Sequence, residues 1–129
     1  MGGRLLLDTS VIVDLFTDGS AVQHLLAAAD EVFVPAIALG ELFYGAQRSN
    51  RREANLAQVE AFASAAAVLP CDLQTARHYG EIRDALRARG RPLPENDIWI
   101  ASLARQYALT VATRDSHFRE IDGLALVAW

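Results

Sequence analysis

The sequence contains no lysine, and arginine supplies all 12 of its basic side chains. Aspartate and glutamate outnumber them at 16, which gives a net charge of -4. A protein that binds nucleic acid through overall charge attraction is usually basic, so the composition argues against that mode of binding. A local basic rim around an otherwise acidic site remains compatible with these numbers.

Cysteine and long apolar runs are also scarce. Cys71 is the single cysteine, which excludes an internal disulfide, and we interpret it as a small buried hydrophobic residue. No apolar run approaches the roughly 18 residues that span a bilayer, and the first residues lack the pattern of a signal peptide. We therefore expect a cytoplasmic protein. The 129 residues, 52% of them hydrophobic, suit one domain, which we assign to residues 1–129.

Short apolar segments alternate with helical ones along the whole chain. The predicted strands are 5–7, 32–34, 68–69, 109–113 and 124–127. The predicted helices are 9–16, 20–29, 36–47, 50–67, a helix capped by Asp72 that runs to Arg89, a helix capped by Glu95 or Asn96 that runs to Ala108, and a helical turn over 116–121. This alternation predicts an α/β fold, a three-layer α/β/α sandwich around a central parallel sheet.

Four acidic residues flank these core segments. Asp8 follows the first strand, Asp115 follows the fourth, Asp97 opens an apolar helix, and Glu41 lies inside the third helix. In a parallel sheet, ligands bind beyond the carboxyl ends of the strands, where these acids would meet. Crowded carboxylates repel one another unless a cation neutralises them, and hard oxygen ligands suit Mg²⁺ or Mn²⁺. The pattern therefore indicates a divalent metal site for phosphate chemistry.

Each acid also has a purely structural interpretation. Asp8, Asp97 and Asp115 all stand where an acid caps a helix or stabilises its first turn. Glu41 lies more than a turn inside its helix, which is apolar nearly all round, so we expect a buried carboxylate that needs a partner or a metal. A structural ion network therefore stays open as the alternative to a metal site.

Polar side chains near the acids are candidates for a supporting shell. Thr9, Ser10 and Thr113 are hydroxyls that could orient metal ligands, or could simply begin helices and end strands. Asn96 could contact substrate or cap its helix, and we favour the cap. Five arginines are candidates for phosphate contact, although a solvated surface position suits each of them: Arg48, Arg51, Arg52, Arg91 and Arg114.

Aromatic and histidine side chains give weaker signals. Trp99 and Phe118 flank two of the acids and could stack on an unpaired base, but core packing is the preferred interpretation for both. The three histidines, His24, His78 and His117, are scattered without metal-ligand spacing. We assign them no catalytic role.

Four segments together resemble the PIN domain family, and within it the VapC-type toxins of bacterial toxin-antitoxin operons. They are Leu-Leu-Asp8-Thr9-Ser10-Val-Ile, Ala-Leu-Gly-Glu41-Leu-Phe-Tyr-Gly45-Ala, Gly90-Arg-Pro-Leu-Pro-Glu-Asn96-Asp97-Ile-Trp-Ile-Ala, and Val-Ala-Thr113-Arg-Asp115-Ser-His-Phe followed by a final Trp129. The segments around Glu41 and Asp97 are the specific ones. None of the family's four acids is missing.

The resemblance implies a Mg²⁺- or Mn²⁺-dependent endoribonuclease that hydrolyses RNA phosphodiester bonds with metal-activated water. It implies that Asp8, Glu41, Asp97 and Asp115 are the metal ligands and catalytic residues. It also implies a homodimer, a VapB-type antitoxin that covers the site, and an RNA substrate such as tRNA, rRNA or mRNA.

Two alternatives share the fold. A PIN nuclease could process RNA without being a toxin, and a catalytically inactive PIN domain could serve as an interaction module that keeps its acids for structure. A phosphotransfer receiver domain, which also has an acidic pocket, needs a pocket lysine. The absence of lysine sets that interpretation aside.

Overall fold

A computed structural model describes residues 3–128 of the chain. Within that range the strands are β1 (Arg4–Leu7), β2 (Glu31–Pro35), β3 (Ala67–Leu69), β4 (Thr110–Ala112) and β5 (Leu126–Val127). The α-helices are α1 (Thr9–Asp18), α2 (Ser20–Ala27), α3 (Ala36–Gln47), α4 (Arg52–Ala65), α5 (Leu73–Ala88) and α6 (Glu95–Tyr107), and a 3₁₀ helix covers Ser116–Glu120. Trp129, which closes the PIN-like pattern, lies outside the described residues.

The five strands form one sheet in the order β3-β2-β1-β4-β5, and all of its pairings are parallel. Leu6 in the central strand pairs with Phe33 on one side and Val111 on the other. The predicted parallel sheet is therefore confirmed. Because β1 is central and β4 is its neighbour, the residues that follow these two strands come together at the carboxyl edge of the sheet.

Two apolar cores cover the two faces of the sheet. Alternate residues of a strand point to opposite faces, and Leu6 joins a cluster with α5 and α6 while Leu5 and Leu7 join a cluster with α1, α3 and α4. All three side chains are buried, as expected of a central parallel strand covered on both sides. The predicted α/β/α layering is confirmed.

Local capping chemistry accounts for several helix boundaries. Pro35 occupies the cap position of α3, whose predicted range 36–47 matches the structure. Asp72 caps α5 through a reciprocal pair of hydrogen bonds with Thr75. The predicted cap of α6 is wrong. Pro94 occupies that position without a side-chain hydrogen bond, and Glu95 and Asn96 already lie in the helix.

Cys71 is exposed, so its predicted burial is also wrong. It lies between β3, which forms one margin of the sheet, and the cap of α5, where no further layer covers it. Across residues 3–128, no helix combines the length and the apolar character needed to cross a membrane.

Candidate active site

Asp8 lies at the centre of the carboxyl edge of the sheet, directly after β1. Its side chain is 4% exposed, and the Thr9 backbone N–H donates to its Oδ1 at 2.8 Å. Its Oδ2 accepts hydrogen bonds from the Ser10 hydroxyl at 3.0 Å and from the Thr113 hydroxyl at 2.8 Å. Asp8 is thus both the cap of α1, as its structural interpretation predicts, and a carboxylate held rigidly by three donors.

Thr113 connects Asp8 to the segment that follows β4. Its hydroxyl donates to Asp8 and accepts from the backbone N–H of Asp115 at 2.9 Å. Asp115 in turn caps the 3₁₀ helix, because its Oδ1 accepts from the His117 backbone N–H at 2.9 Å. A single hydroxyl therefore fixes the relative positions of two of the acids.

Asp97 reaches the same place from the first turn of α6. Burial raises the pKa of Asp97 to about 6, the negative charges of Asp8 and then Asp115 act in the same direction, and His117 partly offsets them. The Asp97 side chain is 15% exposed, so the raised pKa reflects a pocket that is only partly open to solvent. Asp8 and Asp115 therefore lie close enough to Asp97 to affect its ionisation.

Glu41 approaches the cluster from α3, and its environment differs from the sequence-based expectation. Leu39, Leu42, Phe43 and Ala46 of α3 pack into the core, but Glu41 is exposed, as are Gly40, Tyr44 and Gly45. The helical pattern of α3 is apolar on nearly every side, yet the neighbouring elements cover only part of it. Glu41 is linked to the cluster by Thr9, whose hydroxyl donates to its Oε1 at 2.8 Å.

His117 belongs to this cluster, although we assigned the histidines no role from the sequence. Its Nδ1 lies 3.1 Å from Asp115 Oδ1 and 3.6 Å from Asp97 Oδ2. One potential ligand atom from each of Asp97, Asp115 and His117 lies within 4.8 Å of the others. The Asp115-Ser-His117 spacing accounts only for the hydrogen bond from the His117 backbone N–H to Asp115 and does not predict where the imidazole lies.

The three predicted hydroxyls contact the acids directly, whereas Asn96 does not cap its helix. Thr9, Ser10 and Thr113 each donate to a carboxylate of the cluster. Asn96 lies exposed in the first turn of α6. Its preferred interpretation as the helix cap is wrong because the preceding Pro94 takes that position.

The two aromatic side chains beside the acids serve packing. Phe118 is fully buried in the core cluster that includes α6. Trp99 is half-buried and stacks on Tyr79 with ring centroids 4.0 Å apart. The core interpretation is confirmed for Phe118, whereas Trp99 packs on Tyr79 outside the two buried clusters.

The five candidate arginines are all exposed, but they differ in what they contact. Arg114 forms a 2.6 Å salt bridge with Asp14, which lies half-buried on α1. Arg91 pairs with Glu120 at 3.5 Å, and Arg48 donates to the Tyr44 hydroxyl at 3.0 Å. Arg114 and Arg48 are consequently attached to elements that carry the acids.

A groove of about 570 Å³ lies beside Thr9 and Glu41. Its walls come from α1, α3 and α4, and its lining is largely apolar, with Val13, Phe16, Leu42, Gly45, Ala46 and Val59 among the contributing residues. Val13 is 44% exposed there. The small side chains of α3 leave the space that a bulkier sequence would fill.

The donor set of this cluster is that of a hard divalent cation. It offers carboxylate oxygens on several elements, with one imidazole at its margin, and Asp8 is already oriented by hydroxyl and backbone donors. Burial first, and then the negative charges of Asp8 and Asp115, raise the pKa of Asp97, so its carboxylate is repelled by the other two acids of the cluster. A bound Mg²⁺ or Mn²⁺ would relieve that repulsion, so the residues present fit such an ion.

Comparison with known proteins gives consistent matches over nearly the whole chain. The model of the PIN domain family matches residues 5–124. The tRNA(fMet)-specific endonuclease VapC of Shigella flexneri is 32% identical over 129 residues, covering 98% of each chain. Ribonuclease VapC5 of Mycobacterium tuberculosis is 35% identical over 124 residues, covering 94% of this chain and 90% of the relative.

Solved structures agree with the sequence matches. The crystal structure of DNA-bound VapBC from Salmonella typhimurium contains a chain with a TM-score of 0.90 and 33% identity, with 98% of both chains covered. VapBC2 from Rickettsia felis, bound to a DNA fragment from its promoter, gives a TM-score of 0.86 at 26% identity with the same coverage. The chain therefore belongs to the PIN domain family, and within that family to the VapC proteins.

Proposed function

We propose that this VapC protein is a Mg²⁺- or Mn²⁺-dependent endoribonuclease that acts as the toxin of a VapBC-type toxin-antitoxin pair. The observation that carries the proposal is the convergence of Asp8, Asp97 and Asp115 at the carboxyl edge of the sheet, with Glu41 linked to them through Thr9. Relatives of similar length are named as ribonucleases or as tRNA(fMet)-specific endonucleases. We further propose that residues 1–129 act as a single PIN domain in the cytoplasm.

Asp8 and Asp97 are proposed as direct metal ligands, because both are fixed by backbone elements at the centre of the cluster. Glu41 and Asp115 complete the set, either as ligands or through water. A divalent ion bound there would act as a Lewis acid on the phosphodiester and help to generate the nucleophile from water. We propose that either Mg²⁺ or Mn²⁺ can be this ion.

The protein's own side chains orient the carboxylates, accept a proton and offset charge repulsion. Ser10 and Thr113 hold the Asp8 carboxylate in one orientation, so it does not have to reorganise when substrate arrives. A carboxylate of the set can accept the proton released by the attacking water. The exposed arginines around the rim, Arg114 and Arg48 in particular, can offset the repulsion between RNA and the acids.

The proposed protein partner is a VapB-type antitoxin. The groove between α1, α3 and α4 begins at Thr9 and Glu41 and is mostly apolar, which suits the apolar face of an amphipathic helix. A helix seated there would end beside the acids and could cover them. Solved relatives are VapBC complexes, which supports such a partner, and we also propose the homodimer that the family resemblance implies.

The test is cleavage of a mixed tRNA and ribosomal RNA pool by the purified protein with Mg²⁺ or Mn²⁺, compared with EDTA. The matched control is the folded Asp8→Asn, Asp97→Asn double variant. We expect metal-dependent internal cuts that the double variant does not make. Cutting that persists in EDTA or in the double variant would overturn the proposed site. A folded, metal-loaded and partner-free protein that cuts no RNA would favour an inactive interaction module.

A further inference from the structure

Tyr44 is the one aromatic side chain that is exposed in the described part of the chain, with 62% of its surface accessible. The other aromatic residues between positions 3 and 128 are partly or fully buried. Isolated exposed hydrophobic residues are common and need no special explanation. Tyr44 differs because of its partner and because of its position beside the acids.

The partner of Tyr44 is Arg48, one helical turn further along α3. The Arg48 guanidinium donates to the Tyr44 hydroxyl at 3.0 Å, and its Cζ lies 5.7 Å from the centre of the ring. These two contacts hold an aromatic surface and a positive charge together before any ligand binds. Such a pair offers stacking and charge attraction at a single place.

The pair continues directly from the catalytic cluster. Glu41 and Tyr44 lie on α3 and Arg48 is its C-cap residue, in a helical backbone conformation. The three stand at positions i, i+3 and i+7, so they follow one line of about 10 Å along the helix axis. At its near end, Glu41 is hydrogen-bonded to Thr9, whose backbone N–H donates to Asp8. The line therefore leads outward from the acids.

Tyr44 lies on a different side of α3 from the apolar groove. Ile37 precedes Tyr44 by seven residues and so shares its side of the helix, and Ile37 packs against the core cluster to which α6 contributes. Leu42 and Gly45 line the groove toward α1 and α4, whereas Tyr44 is not among its lining residues. The ring of Tyr44 therefore lies beside the groove and is not part of its lining.

We propose that Tyr44 and Arg48 form a contact site for single-stranded RNA, in which the tyrosine ring stacks on an unpaired base and the arginine binds an adjoining phosphate. The inference rests on the proposed nuclease function and extends it by naming how substrate is held next to the acids. Side chains three positions apart on a helix lie about 5–6 Å from each other. A base next to a phosphate at Glu41 is therefore within reach of the ring.

The chemistry of this site favours RNA that is unpaired. The face of a base is accessible for stacking only where the strand is not in a duplex, and aromatic stacking tolerates any base. A cation is needed in addition, because the acids next to it repel the phosphate backbone. The site thus predicts cleavage in loops or single-stranded segments without providing base selectivity by itself.

The test measures binding of a single-stranded oligoribonucleotide containing 2-aminopurine, whose fluorescence falls when it stacks, in the presence of Ca²⁺. We expect wild-type protein and Tyr44→Phe to quench the probe, while Tyr44→Ala loses the quenching and on the order of tenfold in affinity. Arg48→Gln should weaken binding and reduce the slope of log affinity against log salt by about 0.7.

Arg4→Gln is the matched control. The Arg4 Cζ lies 5.8 Å from the Phe33 ring in a similar cation–aromatic pair, but Arg4 begins β1 and so stands at the edge of the sheet opposite Asp8. We expect it to bind the probe like wild type. Tyr44→Ala binding and quenching like wild type would overturn the contact. A Tyr44→Ala variant that changes the mass in light scattering or the affinity for antitoxin, with RNA binding intact, would assign the ring to a protein interface.

Cleavage by the same proteins separates this inference from the proposed function. If wild type cuts RNA and Tyr44→Ala cuts equally well with an unchanged KM, only the contact site fails. If wild type neither cuts nor binds RNA, the proposed nuclease function fails and the contact site fails with it. A raised KM with little change in kcat is the expected result for a residue that holds substrate without taking part in the reaction.

Discussion

Asp97 illustrates at the scale of one residue how function and stability oppose each other. Burial and neighbouring charges raise its pKa to about 6, against 3.8 for an ordinary aspartate. Between these two values the folded protein holds a proton that the unfolded chain has released, so stability falls as the pH rises through this window. The metal-free protein therefore bears a charged Asp97 at neutral pH at a cost in stability.

Asp97→Asn should remove this cost and abolish cleavage. We expect the free energy of unfolding of the metal-free protein to rise by about 2 kcal/mol at pH 8, with little change at pH 4. Urea denaturation in EDTA at the two pH values measures it. Asp84→Asn, at an aspartate whose side chain is 77% exposed, is the control. Equal stabilisation at both pH values would argue against the electrostatic origin.

His117 gives a second prediction at this scale, because its Nδ1 contacts Asp115 and approaches Asp97. A side chain that orients a metal ligand typically contributes 10–100-fold to metal affinity. We expect His117→Ala to raise the Mg²⁺ concentration needed for half-maximal cleavage by roughly tenfold, with the rate at saturating Mg²⁺ largely retained. Ser116→Ala, at the exposed neighbour, should change neither quantity. A rate that stays low at saturating Mg²⁺ would instead place His117 in the chemical step.

Individual residues of the site were predictable to different degrees. Asp8 and its hydroxyl partners follow from the sequence because neighbours in the chain stay neighbours at the end of a strand. His117 could not be found in this way, since its approach to Asp97 depends on how a 3₁₀ helix turns against α6. The exposure of Glu41 was equally inaccessible, because an apolar helical pattern does not reveal which sides the rest of the protein covers.

At the scale of elements, the ends of α6 show what local sequence can and cannot decide. Asparagine is typical of a cap and an acidic residue of the first turn, so Asn96 and its acidic neighbours fit more than one helix start. The start of α3 was easier to predict, because a helix tolerates proline only at its start and Pro35 precedes the helical pattern directly. The predicted helix 50–67 is longer than α4 at both ends, and its last residue, Ala67, already belongs to β3.

The other end of α6 supplies a prediction about stability. Ala108 terminates the helix in the left-handed conformation with φ 55° and ψ 49°, which glycine adopts without strain. Ala108→Gly should therefore stabilise the protein by about 1 kcal/mol, and cleavage should be unchanged because Ala108 stands at the amino end of β4.

The reverse substitution at Gly90 is the control for Ala108→Gly. Gly90 has φ +66°, and a Cβ added there meets no atom within 4 Å, so only the backbone conformation opposes a side chain. Gly90→Ala should destabilise the protein by about 1 kcal/mol in the same urea experiment. Shifts of the same sign in the two variants would contradict the argument from left-handed geometry.

For the whole molecule, strand type was predictable and strand order was not. Alternation of strands and helices favours a parallel sheet, but the placement of β1 between β2 and β4 depends on contacts between distant segments. That placement matters, because it brings the ends of β1 and β4 together and so unites Asp8 with Asp115. It also puts α1 beside α3, where the small residues Gly45 and Ala46 leave a groove between the helices.

A substitution in this groove tests how the protein binds its antitoxin. Val13 is 44% exposed and contributes to its apolar lining, so Val13→Asn should disturb a bound helix without removing packing from the core. We expect affinity for a VapB-type antitoxin to fall at least tenfold in calorimetry, roughly the contribution of one apolar anchor. RNA cleavage should persist and escape inhibition by the antitoxin.

Leu73→Asn tests whether the effect is specific to the groove. Leu73 is more exposed than Val13, at 66%, but it begins α5 and does not line the groove. A general loss of surface hydrophobicity would weaken antitoxin binding in both variants, whereas a helix seated between α1, α3 and α4 would be affected by Val13→Asn alone. If Leu73→Asn releases the antitoxin and Val13→Asn does not, the partner binds near α5, and inhibition cannot arise from a helix that ends beside Thr9 and Glu41.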